Sequence, residues 1–302
     1  MRPIRRRDAL ALCASAPLFA RSRPKVAITI DDVRWQIIPE ARRAEAEERL
    51  LTHVNQTRVC LFAWGQAVDN EPGAAILNAW AAAGHWIGNH TYSHRPLMGN
   101  TSTDDFEKDV LRDDELLRGK RGFQKLFRFP ALKEGRTREE RDRLRRFLLA
   151  NGYRNGAVTI DASDWYYDRR LGARLEENPK WDTAAYRQPY LAHIWNRATF
   201  YDQVARDILR RDLSHTVLLH YNLLNALFLG DLLAMFRSKG WMILGADEAF
   251  SDPVFSKAPD TVPAGESLVW ALAKETGKYD RKLRYPGEDD VYEKPVLDKL
   301  KL

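Results

Sequence analysis

The sequence predicts an α/β fold with a largely parallel sheet that closes, or nearly closes, into a barrel. Short apolar runs alternate with amphipathic helical patterns along most of the chain, and several of the runs end in charged or polar residues. Repeated β–α alternation favours a parallel sheet, and barrels of this class carry their chemistry at the carboxyl ends of the strands. The 302 residues, 44% of them hydrophobic, suffice for one large domain.

The elements follow in a regular order. The apolar runs predict strands at 25–30, 58–64, 84–90, 126–129, 157–160, 216–219 and 241–244. Helical spacing or helix-start residues predict helices at 41–54, 73–83, 103–117, 137–150, 190–208 and 223–238. The predicted domain therefore covers residues 21–252. The charged stretch 253–302 contains several prolines and is expected to be a peripheral extension.

The charge pattern argues against a nucleic-acid partner. The formal net charge is +6, and the first 20 residues carry half of it. The remaining basic residues alternate with acidic ones, as on a solvated helix face. Cys60 is the only cysteine beyond Cys13, so no intramolecular disulfide is expected, and the chain is expected to be a monomer.

Residues 1–20 are predicted to be an export signal. A basic cluster that includes Arg6 and Arg7 precedes an apolar run at 9–20, which is too short to span a bilayer. The segment resembles a non-ideal twin-arginine signal with cleavage near Ala20 or after Ala16. This predicts a bacterial protein exported to the periplasm or beyond, with no membrane span after signal removal. A basic, disordered amino terminus is the alternative.

Two motifs at predicted strand ends point to a metal. Asp31 and Asp32 end the strand at 25–30, where two carboxylates repel each other unless a cation or protons offset them. His90 and His94 are four residues apart after another strand. Two histidines and one aspartate leave coordination positions open, which is a catalytic arrangement. Zinc is the first expectation, and cobalt, nickel, manganese or iron remain open.

Three more strand ends complete a pattern: Arg128 two residues before Pro130, Asp161 and Asp164 before Trp165, and the lone His220. The five stretches, in this order, resemble the five motifs of the polysaccharide deacetylases, the NodB-homology domain of carbohydrate esterase family 4. The resemblance covers about residues 24–250 and implies a distorted (β/α) barrel of the NodB-homology type.

The resemblance implies a role for each residue of the metal and base motifs. Asp31 is expected to be the general base, held and oriented by Arg128. Asp32, His90 and His94 are expected to bind the divalent metal, which activates a water molecule.

It implies further roles for the acid and the pocket. His220 is expected to be the general acid, kept protonated by Asp164. Trp165 and Leu218 would line the pocket for the acetyl methyl group, and the backbone amide of Ala131 would help to stabilise the oxyanion.

The sequence departs from the family pattern at two places. Ile30 replaces a usual phenylalanine, and Ala131 begins an unusual stretch where the family has Tyr-Gly after the proline. The second departure alters the rim of the pocket. The sequence also leaves open whether Asp161 or Asp164 pairs with His220.

The implied function is metal-dependent hydrolysis of acetyl groups from N-acetylated polysaccharides or oligosaccharides that contain N-acetylglucosamine, such as chitin or peptidoglycan. Such an enzyme is a hydrolase acting on carbon–nitrogen bonds other than peptide bonds. One alternative is an O-acetyl esterase acting on xylan or an exopolysaccharide. Others are a non-haem iron enzyme with the same His-His-Asp triad and a catalytically silent sugar-binding member of the fold.

Overall fold

The computed structural model of this protein describes residues 23–284 and 289–302. The predicted export signal at residues 1–20 lies outside the described residues and stays a prediction.

Seven parallel strands form the central sheet of the described chain, and two short strands form a separate antiparallel ribbon. The sheet order is β6-β4-β3-β2-β1-β7, and β8 also pairs with β1. The strands are β1 (Lys25–Asp32), β2 (Cys60–Ala63), β3 (Trp86–Asn89), β4 (Phe123–Phe127), β5 (Lys133–Gly135), β6 (Arg154–Asn155), β7 (Ser214–His220), β8 (Met242–Leu244) and β9 (Ala264–Gly265).

Strand β1 is the centre of the sheet. It pairs with β7 along nearly its whole length, while β8 pairs with its first half and β2 with its second half. Its six inner residues are all buried. This explains why the strand is almost continuously apolar, because a strand with both faces covered has no solvent side.

The segment after β6 brings the two sides of the sheet close to a barrel. The Gly156 N–H donates to the carbonyl of Phe127 (2.6 Å), and the Ile160 N–H donates to the carbonyl of Thr216 (2.9 Å). The prediction of a strand at 157–160 is therefore wrong, although the segment is buried as expected. Only Ile160 makes a bridge, with Val217, because this segment crosses from one edge of the sheet to the other. A Cβ at position 156 would lie 2.4 Å from the ring of Phe62, so the crossing requires glycine.

Helices cover the sheet: α1 (Arg43–Val54), α2 (Gly65–Val68), α3 (Glu71–Ala82), α4 (Thr103–Leu117), α5 (Arg138–Ala150), α6 (Asp164–Glu177), α7 (Arg187–Leu209), α8 (Leu223–Ser238), α9 (Ala246–Ala249), α10 (Leu268–Glu275), α11 (Asp289–Tyr292) and α12 (Lys294–Leu300). Among residues 23–284 and 289–302, no helix is long and apolar enough to cross a bilayer.

The C-terminal segment, residues 253–302, shares the main hydrophobic core. Helix α10 packs against α7, and Leu268, Val269 and Trp270 are buried there. Leu297 of α12 is also fully buried in the same core. The sequence predicts a peripheral extension here because the stretch contains several prolines and many charged residues. The structure differs, because its few apolar side chains are buried in the core.

Candidate active site

The carboxyl ends of β1, β3 and β7, with the loops after β3 and β4, surround one cavity of about 650 Å³. Parallel strands present their carboxyl ends at the same edge of a sheet, so side chains distant in sequence meet there. The predicted site residues that line this cavity are Asp31, Asp32, His90, His94, Ala131, Trp165, Leu218 and His220. Arg128 and Asp164 lie behind it as fully buried partners.

A backbone bend separates the two adjacent carboxylates at the end of β1. Asp32 has a φ of 76° and Val33 a φ of 50°, both in the left-handed region that non-glycine residues rarely adopt. On a regular strand the side chains of Asp31 and Asp32 would point to opposite faces. The bend lets both carboxylates line the same cavity.

Asp32, His90 and His94 form a compact cluster of possible metal ligands. The Nε2 atoms of His90 and His94 lie 3.3 and 3.1 Å from Oδ1 of Asp32. One ligand atom from each residue can be chosen so that all three lie within 4.8 Å of one another.

The hydrogen bonds of this cluster fit a cation. Nδ1 of His90 lies 2.7 Å from the carbonyl oxygen of Arg128, which only accepts, so Nδ1 carries the proton. In the neutral imidazole, Nε2 of His90 then presents a lone pair to Asp32, whose Oδ1 is buried and has no hydrogen-bond partner among the described residues. Electron-rich atoms facing each other in this way suit a divalent metal.

The chain behind the two histidines is held by buried polar groups that sequence reasoning missed. Asp113, fully buried on α4, accepts the backbone N–H of His90 (3.2 Å). Burial raises the pKa of Asp113 well above its usual value. The Asn89 side chain accepts the Thr91 N–H, and Thr91 accepts the N–H of His94. Neither residue could be singled out from the sequence, because Asp113 is one of several acidic residues on a charged helix and Asn89 is an ordinary neighbour of His90.

Asp31 is fixed by Arg128. Nη1 of Arg128 donates to both carboxylate oxygens of Asp31 at 2.8 and 2.9 Å, and both side chains are buried. The other nitrogens of Arg128 donate to the carbonyl of Gly156 and to the hydroxyl of Thr29. The guanidinium also lies 4.2 Å from the centroid of the Phe62 ring. Asp31 is therefore held at the cavity wall by a buried cation whose three guanidinium nitrogens all make hydrogen bonds.

Asp164 is the carboxylate that contacts His220. Its two oxygens accept Nδ1–H and the backbone N–H of His220, each at 2.8 Å. The side chains of Asn222 and Asn225 donate to the same carboxylate at 3.1 and 2.7 Å. Burial alone would lower the pKa of His220, but Asp164 outweighs it and raises that pKa to about 10. Asp161, the alternative left open by the sequence, lines the cavity instead.

The walls of the cavity come from several parts of the chain. Trp165 is 37% exposed at the start of α6, and the guanidinium of Arg169 lies 5.3 Å from its ring centroid. Leu218 of β7 is buried, and Ala131 has a left-handed backbone with a φ of 49°. Glu293 of the C-terminal segment also faces the cavity, which the sequence did not predict.

The comparisons with known proteins agree with this architecture. The family model described as polysaccharide deacetylase matches residues 20–150. No curated protein sequence matches the chain.

Solved structures share the fold. A carbohydrate esterase family 4 pseudoenzyme from Bacillus anthracis is 17% identical, with a TM-score of 0.52 over 76% of this chain and 66% of that chain. A mutant of that pseudoenzyme with restored enzymatic activity is 18% identical, with a TM-score of 0.52 over 76% of this chain and 68% of that chain. A peptidoglycan N-acetylglucosamine deacetylase is 17% identical, with a TM-score of 0.51 over 75% and 88% of the two chains. The family match and the shared fold together confirm the predicted resemblance of this chain to the NodB-homology polysaccharide deacetylases.

Proposed function

We propose that this chain is a metal-dependent hydrolase that removes acetyl groups from N-acetylated glycans containing N-acetylglucosamine, such as chitin or peptidoglycan. The observation that carries the proposal is the cluster of Asp32, His90 and His94, which can each offer one ligand atom within 4.8 Å of the others. A base candidate, Asp31, and an acid candidate, His220, line the same cavity.

Asp32, His90 and His94 would hold the metal. Two imidazole nitrogens and one carboxylate oxygen suit zinc first, with cobalt or nickel as other divalent candidates. A divalent cation bound there supplies Lewis acidity toward a water molecule and toward the acetyl carbonyl. The hydrogen bond from His90 to the carbonyl of Arg128 fixes the imidazole in the orientation that such a ligand needs.

Asp31 would take the proton of the attacking water. Its carboxylate is held by the Arg128 guanidinium, so it enters the reaction already oriented and loses little entropy there. The backbone N–H of Ala131, at the rim of the cavity, would donate to the oxyanion of the tetrahedral intermediate.

His220 would donate a proton to the leaving nitrogen. An amine is a poor leaving group unless it is protonated, and the Asp164 partner raises the pKa of His220 to about 10, which keeps the imidazole cationic at neutral pH. This supports N-deacetylation over cleavage of an O-acetyl ester, which needs less help from an acid. The half-exposed Trp165 would stack on a sugar ring, and the buried Leu218 would contact the acetyl methyl group.

The fold is shared with an enzyme whose substrate is peptidoglycan, and the predicted export signal would carry this chain to the compartment where such polymers lie. The fold is also shared with a pseudoenzyme. A silent sugar-binding protein would not need the complete set found here: ligand cluster, oriented base and paired acid.

Acetate release tests the proposal. The chain without residues 1–20 should release acetate from N-acetylglucosamine oligomers or peptidoglycan, lose activity on chelation, and recover it with zinc or cobalt. Acetylated xylan in the same panel tests the esterase alternative. The Asp31→Asn variant should lose about 10²-fold to 10⁴-fold of its turnover, whereas Asp247→Asn, the same change at a surface ion pair with Arg58, should keep full activity. Activity that persists in a metal-free preparation would contradict the proposal.

A further inference from the structure

A buried chain of hydrogen bonds connects the C-terminal segment to the start of α6. His193 of α7 lies between Ser163 and Glu293, with Nε2 2.9 Å from the backbone nitrogen of Ser163 and Nδ1 3.0 Å from Oε2 of Glu293. The His193 and Glu293 side chains are 4% and 5% exposed. The Tyr167 ring covers the imidazole at a centroid distance of 5.0 Å.

The direction of these bonds is fixed by their chemistry. The backbone N–H of Ser163 only donates, so Nε2 of His193 accepts and carries no proton. The proton of the neutral imidazole is then on Nδ1, which donates to Glu293. Without the carboxylate, either tautomer would be free to form, and one of them would turn an N–H toward the N–H of Ser163.

Glu293 is held in an ionised state by groups from three parts of the chain: His193 on α7, Tyr167 on α6 and Arg284. The guanidinium of Arg284 donates to Oε1 (2.5 Å), and the Tyr167 hydroxyl donates to Oε2 (3.3 Å). Burial alone would raise the pKa of Glu293, but His193 and Arg284 outweigh it and hold that pKa at about 2. The ionised carboxylate can therefore accept a hydrogen bond from Nδ1–H of His193 at neutral pH.

Ser163 directly precedes Asp164, the first residue of α6 and the partner of His220. The Ser163 side chain makes no capping bond to the helix. The Ser163 carbonyl accepts the N–H groups of Tyr166 and Tyr167 within α6, and the Ser163 N–H donates to His193, so His193 ties the start of α6 to α7. A shift of this backbone would move the carboxylate of Asp164 relative to the imidazole of His220.

We infer that His193 and Glu293 are positioning residues for the Asp164–His220 pair, so that the C-terminal segment helps to set the geometry of the acid. The inference rests on the proposed function for its effect on turnover, but not for its effect on His220 itself. Neither residue would touch the reacting atoms.

Four variants separate positioning from general stability. His193→Phe keeps a buried ring but removes both nitrogens, and Glu293→Leu removes the carboxylate. His193→Gln places an oxygen near the position of Nε2 and should restore the bond to Ser163. Arg170→Met is the control, because Arg170 holds the same C-terminal segment through Asp298 and does not touch Ser163.

The expected result is a fall in kcat of about 10-fold to 100-fold for His193→Phe and Glu293→Leu, with KM within twofold. His193→Gln should recover most of kcat, and Arg170→Met should match the wild type. Unchanged kcat in folded His193→Phe and Glu293→Leu would overturn the inference, as would an equal loss in Arg170→Met.

A second readout does not depend on activity. NMR titration of the His220 imidazole should give a lower pKa in His193→Phe than in the wild type, because a shift of the backbone at Ser163 would move the Asp164 carboxylate away from the imidazole. If the wild type shows no deacetylase activity but this shift occurs, the proposed function fails and the positioning role stands. If the titration of His220 is the same in both proteins, the positioning role is wrong whatever the activity.

Discussion

At the scale of single residues, the two adjacent carboxylates Asp31 and Asp32 have different surroundings and should respond differently to the same substitution. Asp32→Asn replaces a carboxylate ligand by a neutral amide and should weaken metal binding. Asp31→Asn should keep the metal and lower turnover by about 10²-fold to 10⁴-fold, because the general base is lost. Elemental analysis beside acetate release measures both effects. Metal loss in Asp31→Asn with retention in Asp32→Asn would reverse the assignment.

Arg128 is the buried counter-ion of Asp31, with 1% of its side chain exposed. Arg128→Met should lower the free energy of unfolding by about 3–5 kcal/mol, because it leaves a buried carboxylate without a partner. Urea unfolding of the metal-free protein measures this loss. The double variant with Asp31→Asn should recover part of it, whereas an equal loss in both variants would show that Asp31 is not the cause.

Asp164 raises the pKa of His220 to about 10 against the opposing effect of burial. The raised pKa means that the pair stabilises the fold fully below pH 6.5 and that this contribution is lost as the pH rises through 10. Asp164→Asn should therefore cost more stability at pH 6 than at pH 10. It should also move the basic limb of the activity profile to lower pH. A limb at the same pH in both proteins would contradict the pairing.

The motifs of Asp31, Asp32, His90 and His220 lie at the ends of parallel strands, which converge at one edge of the sheet, so the sequence indicates that they meet. The motif of Asp164 and Trp165 follows the crossing segment and begins α6. The choice between Asp161 and Asp164 depended on the helix start at Asp164, which two acids in one short stretch do not reveal. The position of Glu293 could not be predicted from the sequence, because its contact with His193 depends on how the last helices pack.

At the scale of elements, the helix caps offer a clean test. Ser102 precedes α4 and its hydroxyl accepts the backbone N–H of Asp105 at 3.1 Å. Ser102→Ala should lower the free energy of unfolding by about 1 kcal/mol, since one N–H at the helix start loses its partner. Thr101→Ala is the neighbouring control and should change stability less. Ser102→Asp should restore the cap, so a loss in that variant equal to the alanine variant would contradict the assignment.

Most helices and strands could be predicted from the regular spacing of their apolar residues. The segment at 157–160 was predicted wrongly because it is apolar without such spacing. The helix predicted at 223–238 matches α8, because its apolar residues cover nearly the whole helix. The strand predicted at 157–160 is instead a crossing segment bonded to the carbonyls of Phe127 and Thr216 on opposite sides of the sheet. Apolar composition indicates burial there, but it cannot tell which neighbour the backbone bonds.

At the scale of the whole molecule, the C-terminal segment is part of the core. Truncation after Asp252 removes the buried side chains of Leu268, Val269, Trp270 and Leu297. Each such side chain contributes about 1.5–3 kcal/mol, and the sum is comparable with the whole stability of a typical domain. The truncated chain should lack a cooperative unfolding transition, as measured by circular dichroism against the chain that retains residues 253–302. A truncated chain that unfolds cooperatively at the same urea concentration would show that the segment is dispensable.

The nearly closed sheet has a consequence for how copies of the chain meet one another. Exposed strand edges are templates for pairing with another molecule, and long flat edges lead to aggregation. Here β6 has two residues and β8 has three, and the crossing segment occupies the space between β4 and β7. Within the described residues, these short strands are the only edges of the central sheet with which a second copy could pair. We therefore expect little edge-to-edge β-aggregation of the folded chain.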